Sequence, residues 1–154
     1  ADCALILAKA SGADGMVAGQ VLDTLHSCRT EPEVAEVHHL KTGAMIAGAC
    51  MLGTAAAGSG EVVRKAAEEY GYQLGLAFQI RDDMLDVIGN AAEFGKPIGS
   101  DREEGKTTFV DILGLNGCQR VIEAHSESAV EALGDMEDTD FLIHLVRVLE
   151  KREQ

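Results

Sequence analysis

Apolar residues recur along this chain at helical spacing, and no run of alternating β-branched residues suggests a sheet. The pattern predicts a first helical stretch from about Asp2 to His26, weakened at Ser11-Gly12-Ala13-Asp14-Gly15. After a turn through Cys28 and Arg29, Thr30-Glu31-Pro32-Glu33 has the form of a capping box with proline in the first turn. The second helix then covers about Glu33 to Ala57, and Gly58-Ser59-Gly60 ends it. A third runs from Glu61 to about Ile88, amphipathic at first and mostly apolar through Gly75-Leu76-Ala77-Phe78, so this part should be buried. A loop from Gly89 to about Gly105 holds Gly95, Pro97 and Gly99. Shorter helices are expected at about Thr107–Leu115, Gln119–Leu133 and Asp138–Lys151, the last with an apolar stripe of Phe141, Leu142, Leu145, Val148 and Leu149. The expected class is an all-α helical bundle, with small Gly and Ala residues allowing close helix contact.

Composition narrows the function classes. The 154 residues carry 13 basic and 26 acidic side chains, a net charge of -13, which disfavours non-specific binding to nucleic acid. No apolar run reaches the roughly 18 residues that would cross a membrane; the longest uncharged stretch, residues 42–60, is broken by Gly, Ser and Thr. The first residues lack the basic leader of a signal peptide, so we expect a soluble, cytoplasmic protein. Cys3, Cys28, Cys50 and Cys118 are scattered and match neither a zinc site nor a disulfide scaffold, and we expect four reduced small hydrophobes in the core. Adjacent His38 and His39 point about 100° apart on a helix and are taken as ordinary helix residues.

The third helix ends in Phe78-Gln79-Ile80-Arg81-Asp82-Asp83-Met84-Leu85-Asp86. Asp82 and Asp86 share a face one turn apart, with Gln79 a turn earlier on the same side. Like charges at that spacing repel, the more so where burial strips their water, so a cation between them is implied. Oxygen donors without His or Cys favour a hard cation, magnesium above zinc. A solvated acidic patch is the competing account, although acids are disfavoured at the C-terminal end of a helix dipole. An EF-hand is disfavoured because DDMLD lacks alternating Asp ligands and a central Gly.

Downstream come Gly95-Lys96-Pro97-Ile98-Gly99-Ser100-Asp101 and Gly105-Lys106-Thr107; upstream, Lys41-Thr42-Gly43 lies mid-helix in apolar surroundings. Lysine ammoniums suit phosphate oxygens as point charges, and neither Lys96 nor Lys106 sits in a GxxxxGK[ST] P-loop. Each could equally be a solvated surface lysine.

The conjunction is more specific than its parts. An all-α chain with Gly19-Gln20-Val21-Leu22-Asp23, the KTG at residues 41–43, FQIRDDMLDV at 78–87, GKPIGSD at 95–101 and GKTT at 105–108 resembles the trans-isoprenyl diphosphate synthases, nearest the bacterial farnesyl or geranylgeranyl type. The resemblance implies an isoprenoid-synthase bundle that joins isopentenyl diphosphate to an allylic diphosphate in the presence of Mg2+. It implies Asp82 as a direct metal ligand, with Asp83 and Asp86 acting partly through metal-bound water. Lys41, Lys96 and Lys106 would contact the allylic diphosphate, while Thr42 and Gln79 would place polar oxygens near the developing cation. It also implies a homodimer. The family carries a second aspartate-rich motif upstream, and Asp14, Asp23 and the acids of 135–140 form none. The chain is therefore expected to be the C-terminal half of one synthase domain, the N-terminal half with the isopentenyl diphosphate site lying outside residues 1–154. Alternatives are a non-catalytic prenyl-synthase-like subunit, a truncated relative, or a class I terpene cyclase, the last disfavoured by only four Phe and two Tyr.

Overall fold

The computed structural model of the chain describes residues 1–25, 27–93, 106–134 and 136–152. Among these every regular element is helical: α1 (Asp2–Ser11), α2 (Met16–Leu25), α3 (Glu31–His38), a π turn (His39–Gly43), α4 (Ala44–Ala56), α5 (Glu61–Glu93), α6 (Phe109–Leu133) and α7 (Asp140–Glu150). The all-α expectation holds.

Local chemistry accounts for the boundaries. The first apolar stretch breaks where Gly12 and Gly15 interrupt it, leaving α1 and α2 as separate helices. At the start of α3, the Glu33 carboxylate accepts the backbone N–H of Arg29 (2.8 Å) and of Thr30 (3.0 Å), two donors that no helical carbonyl reaches. Helix α3 begins at Glu31, two residues before the sequence expectation, and passes through the π turn into α4. Gly58, with φ +69°, then ends that rod. Helix α5 runs five residues beyond Ile88. The break expected between Leu115 and Gln119 is instead a kink inside α6 at Gly114 (φ 65°, ψ 170°), a backbone state that glycine adopts without a Cβ penalty. In α7 the expected stripe is only partly right. Val146 is fully buried and Leu142, Ile143, Leu145 and Leu149 pack against the core, whereas Phe141 (70% exposed) and Val148 face solvent.

Helix α5 is the spine, packed between α4 with the π turn and α6. One core joins Val34 of α3, Ala77, Ile80 and Met84 of α5, and Phe109, Cys118 and Ile122 of α6. A second joins Tyr70 and Leu74 to Ala129, Leu133 and Val146. Tyr70 donates its hydroxyl to the Leu142 carbonyl (3.0 Å). Full burial of each large apolar side chain contributes roughly 1.5–3 kcal/mol, so these two clusters hold α5 at a fixed height and rotation. Close approach refines that placement: a Cβ at Gly75 would stand 2.7 Å from the Gly43 Cα, so only glycine lets α5 sit against the π turn. The cysteines form no disulfide. Cys118 lies in the core, Cys28 and Cys50 are half-buried, and Cys3 is exposed, contrary to the expectation that all four were core residues.

Candidate functional site

The π turn and the acidic segment of α5 face one cavity of about 220 Å3. Because α5 continues to Glu93, Asp82 and Asp86 lie two to three turns before its end rather than in its last turn, as the sequence had suggested, so the helix dipole does not bear on them. It is lined by Asp23 of α2, His38 of α3, Lys41 of the π turn, Gln79, Asp82, Asp83 and Asp86 of α5, and Lys106, Thr107 and Thr108 at the entrance to α6. Residues up to 85 positions apart in sequence thus converge on one space. A π turn inserts one residue into the helical register and re-aims the side chains that follow, a device found often at functional sites. Here it carries His39-Leu40-Lys41-Thr42-Gly43, the segment in which the sequence pattern had marked Lys41 and Thr42. Outside the cavity, the His39 ring stacks on Tyr72 with centroids 4.0 Å apart, bracing the turn against α5.

The three aspartates have different surroundings. Asp82 is half-exposed and accepts a hydrogen bond from Arg152, whose guanidinium lies 4.7 Å from the centre of the Phe78 ring. Asp86 is exposed on the same face one turn on. Asp83 is buried, and its Oδ2 accepts the N–H of Phe109 at 3.3 Å, at the N-terminus of α6. An acid there meets the positive end of the helix dipole. The opening of α6 is further secured by Thr108, whose N–H is accepted by Asp111 Oδ2 at 3.1 Å.

Also in the lining, Lys41 Nζ lies 2.7 Å and Lys106 Nζ 3.5 Å from the same oxygen, Oδ2 of Asp23. Burial raises the Asp23 pKa, but the two ammoniums outweigh it and hold the carboxyl below its ordinary value. The Thr42 hydroxyl donates to Gln79 Oε1 at 2.7 Å, which locks the π turn to α5 and orients the amide. Lys41, Thr42, Gln79, Lys106 and the three acids are therefore brought together. Lys96, the rest of 95–101 and Gly105 lie outside the described residues.

Two lining residues carry more than the sequence pattern assigned to them. His38, taken as an ordinary helix position, is buried against the Phe109 ring and brings Nε2 to 3.7 Å from Asp83 Oδ2. Burial pushes its pKa down to about 4, so at neutral pH the imidazole is uncharged and this approach is a contact, not an ion pair. Asp23 was visible only as the last residue of Gly19–Asp23. The one charged residue of α2, one turn after a glycine, was the available signal.

The carboxylate oxygens of Asp82 and Asp86 are compatible with magnesium. Among the described residues no three His, Cys, Asp or Glu side chains stand close enough to enclose a metal by themselves. Magnesium needs no such cage, since it keeps several waters and typically takes one or two carboxylates plus phosphate oxygens. Asp82 and Asp86 both line the cavity and offer carboxylate oxygens of the kind magnesium takes, and Asp82 pairs with the Arg152 guanidinium.

Comparison with known proteins gives a consistent result. Residues 2–141 match the family model described as polyprenyl synthetase. The chain is 39% identical over 125 residues to the farnesyl diphosphate synthase of Geobacillus stearothermophilus, covering 80% of this chain and 42% of that protein. It is 40% identical over 117 residues to that of Escherichia coli K12, covering 74% and 39%. Among solved structures, an FPP/GFPP synthase from Zymomonas mobilis superposes with a TM-score of 0.79 at 29% identity, covering 96% of this chain and 50% of that one. A geranyltransferase from Helicobacter pylori, solved with magnesium and isoprenyl diphosphate, gives 0.76 at 26%, with 96% and 50% covered. The chain thus spans about two fifths of the length of those two relatives and half of those two solved chains.

Proposed function

Because this chain belongs to the polyprenyl synthetase family, we propose that it is the C-terminal half of a short-chain trans-prenyltransferase, whose complete form joins isopentenyl diphosphate to an allylic diphosphate. The observation that carries this is the cavity itself, which gathers Lys41 and Lys106 together with Asp82 and Asp86 in one lining. Anionic diphosphate and a divalent cation are the ligands that such a combination of charges accommodates together.

In this reading Asp82 and Asp86 hold Mg2+, with Asp82 the direct ligand. The bound ion supplies charge neutralisation to the departing diphosphate. Lys41 and Lys106, together with Lys96, bind the phosphate oxygens and orient the allylic carbon toward its partner. The Thr42–Gln79 pair turns oxygen dipoles toward the positive charge that develops as the carbon–oxygen bond breaks, stabilisation that costs no reorganisation at that moment. Asp83 fixes the height of α6 and so the place of Lys106. The isopentenyl diphosphate site and the opposing acids belong to the N-terminal half of the same domain, and the complete enzyme is a cytoplasmic homodimer. The retention of both cavity lysines and the DDMLD acids favours this over a non-catalytic subunit.

The test is Asp82→Ala in the complete protein, assayed with both diphosphates and Mg2+. Turnover is expected to fall by orders of magnitude with the fold retained; unchanged turnover removes Asp82 from the metal site.

A further inference from the structure

The two cavity lysines come from elements far apart in sequence, the π turn and the approach to α6, yet they meet at one oxygen. Two ammoniums placed together repel each other and would turn away into water unless something negative lay between them. Asp23 occupies that position, with Oδ2 at 2.7 Å from Lys41 Nζ and 3.5 Å from Lys106 Nζ, and its side chain is only 16% exposed. Its placement is built into the backbone. One turn earlier on the same face, Gly19 lies so close to the π turn that a Cβ there would stand 2.2 Å from the Lys41 backbone nitrogen. Helix α2 can reach this depth only with glycine at that position, and Asp23 is carried in with it.

We propose that Asp23 is a positioning residue that gathers Lys41 and Lys106 into a single diphosphate cradle in the cavity that Asp82 and Asp86 also line. It neither binds the metal nor touches the substrate in this role; it acts through the two ammoniums. The part played by the cradle rests on the prenyltransferase reading, whereas the gathering of the lysines does not. The two accounts of Asp23 differ in sign. If it were merely a negative charge near the pocket, removing it would tighten the binding of an anion. If it positions the lysines, removing it weakens that binding.

The experiment uses Asp23→Asn and Asp23→Glu in the complete protein, with inorganic diphosphate as the probe. Affinity is measured by calorimetry, and lysine accessibility by acylation with peptide mapping. Asp23→Asn is expected to weaken diphosphate about tenfold, the scale of one lost charge-assisted hydrogen bond. It should also raise the acylation of Lys41 and Lys106 but not of Lys65, which lies 2.9 Å from Glu61 on the surface of α5. Asp23→Glu should restore part of both. In steady state, Asp23→Asn should raise the allylic KM by more than it lowers kcat. Unchanged acylation of both lysines, or tighter diphosphate binding, overturns the proposal. Wild-type protein that ignores diphosphate while Asp23→Asn still exposes the lysines overturns the prenyltransferase reading and keeps the gathering role.

Discussion

Arg152, just beyond the end of α7, donates to the carboxylate of Asp82 on α5, so the side chain proposed as the direct metal ligand is held by a cation supplied from 70 residues away. The same guanidinium lies over Phe78, one turn before Asp82 on α5. Magnesium and Arg152 then compete for one carboxylate. Arg152→Ala in the complete protein should tighten Mg2+ measured by calorimetry without substrate. The gain should stay below about fivefold, because half-exposed ion pairs contribute only about 0.2–1 kcal/mol. Weaker or unchanged Mg2+ binding would contradict the competition.

Asp83 and Asp86 should separate stability from activity. Asp83 is buried and satisfies the Phe109 N–H, so Asp83→Ala is expected to cost about 1–3 kcal/mol in urea unfolding of the complete protein. Asp86 is exposed, and Asp86→Ala should stay within about 0.5 kcal/mol of wild type while lowering turnover at limiting Mg2+. Equal stability losses in the two variants would show that the division between them is wrong.

Acid should erase the contribution of Asp23. Its folded pKa lies below the ordinary value of 3.8, so the protonated form is disfavoured in the native state. The resulting stability is present above the unfolded pKa and is lost as pH falls through the folded one. The stability difference between wild type and Asp23→Asn should therefore be constant from pH 7 to 5 and shrink below pH 4. A difference that grows on acidification would mean that the Asp23 pKa is raised instead.

Helices α1 and α2 leave Leu5 (57% exposed), Val21 (54%) and Leu25 (64%) in water, along with Leu7, Met16 and Val17. Large apolar side chains left in water on two neighbouring helices favour association. The 154-residue chain expressed alone is expected to self-associate in light scattering and to melt without a sharp transition. A monodisperse monomer with cooperative melting would show that these side chains need no partner.

Much of this was legible in one dimension. Helical periodicity, two prolines outside the apolar segments and the Thr30–Glu33 cap are local signals, and they located the helices to within a few residues. The acids Asp82, Asp83 and Asp86, with Lys41, Thr42, Gln79 and Lys106, could likewise be picked out, because charge inside an apolar helix or on a glycine-bearing loop is costly enough to need a reason. Other features were not legible. Gly114 was one glycine among 17, and nothing local says that it kinks α6 rather than ending a helix. The outward turn of Phe141 and Val148 depends on how α7 rotates about its axis, which Val146 settles by packing against Leu74 and Leu133.

The chain by itself determined the helices, the family likeness and the inventory of acids and lysines, because those follow from interactions between residues a few positions apart. Only the tertiary structure decided which of them share a cavity. Asp83 became a support for α6 and Asp82 a partner of Arg152 because α5 is clamped between two cores that set its rotation. Asp23 became the meeting point of Lys41 and Lys106 because a glycine let α2 descend onto the π turn. Such pairings depend on packing between distant segments, and packing has no period to read along a sequence.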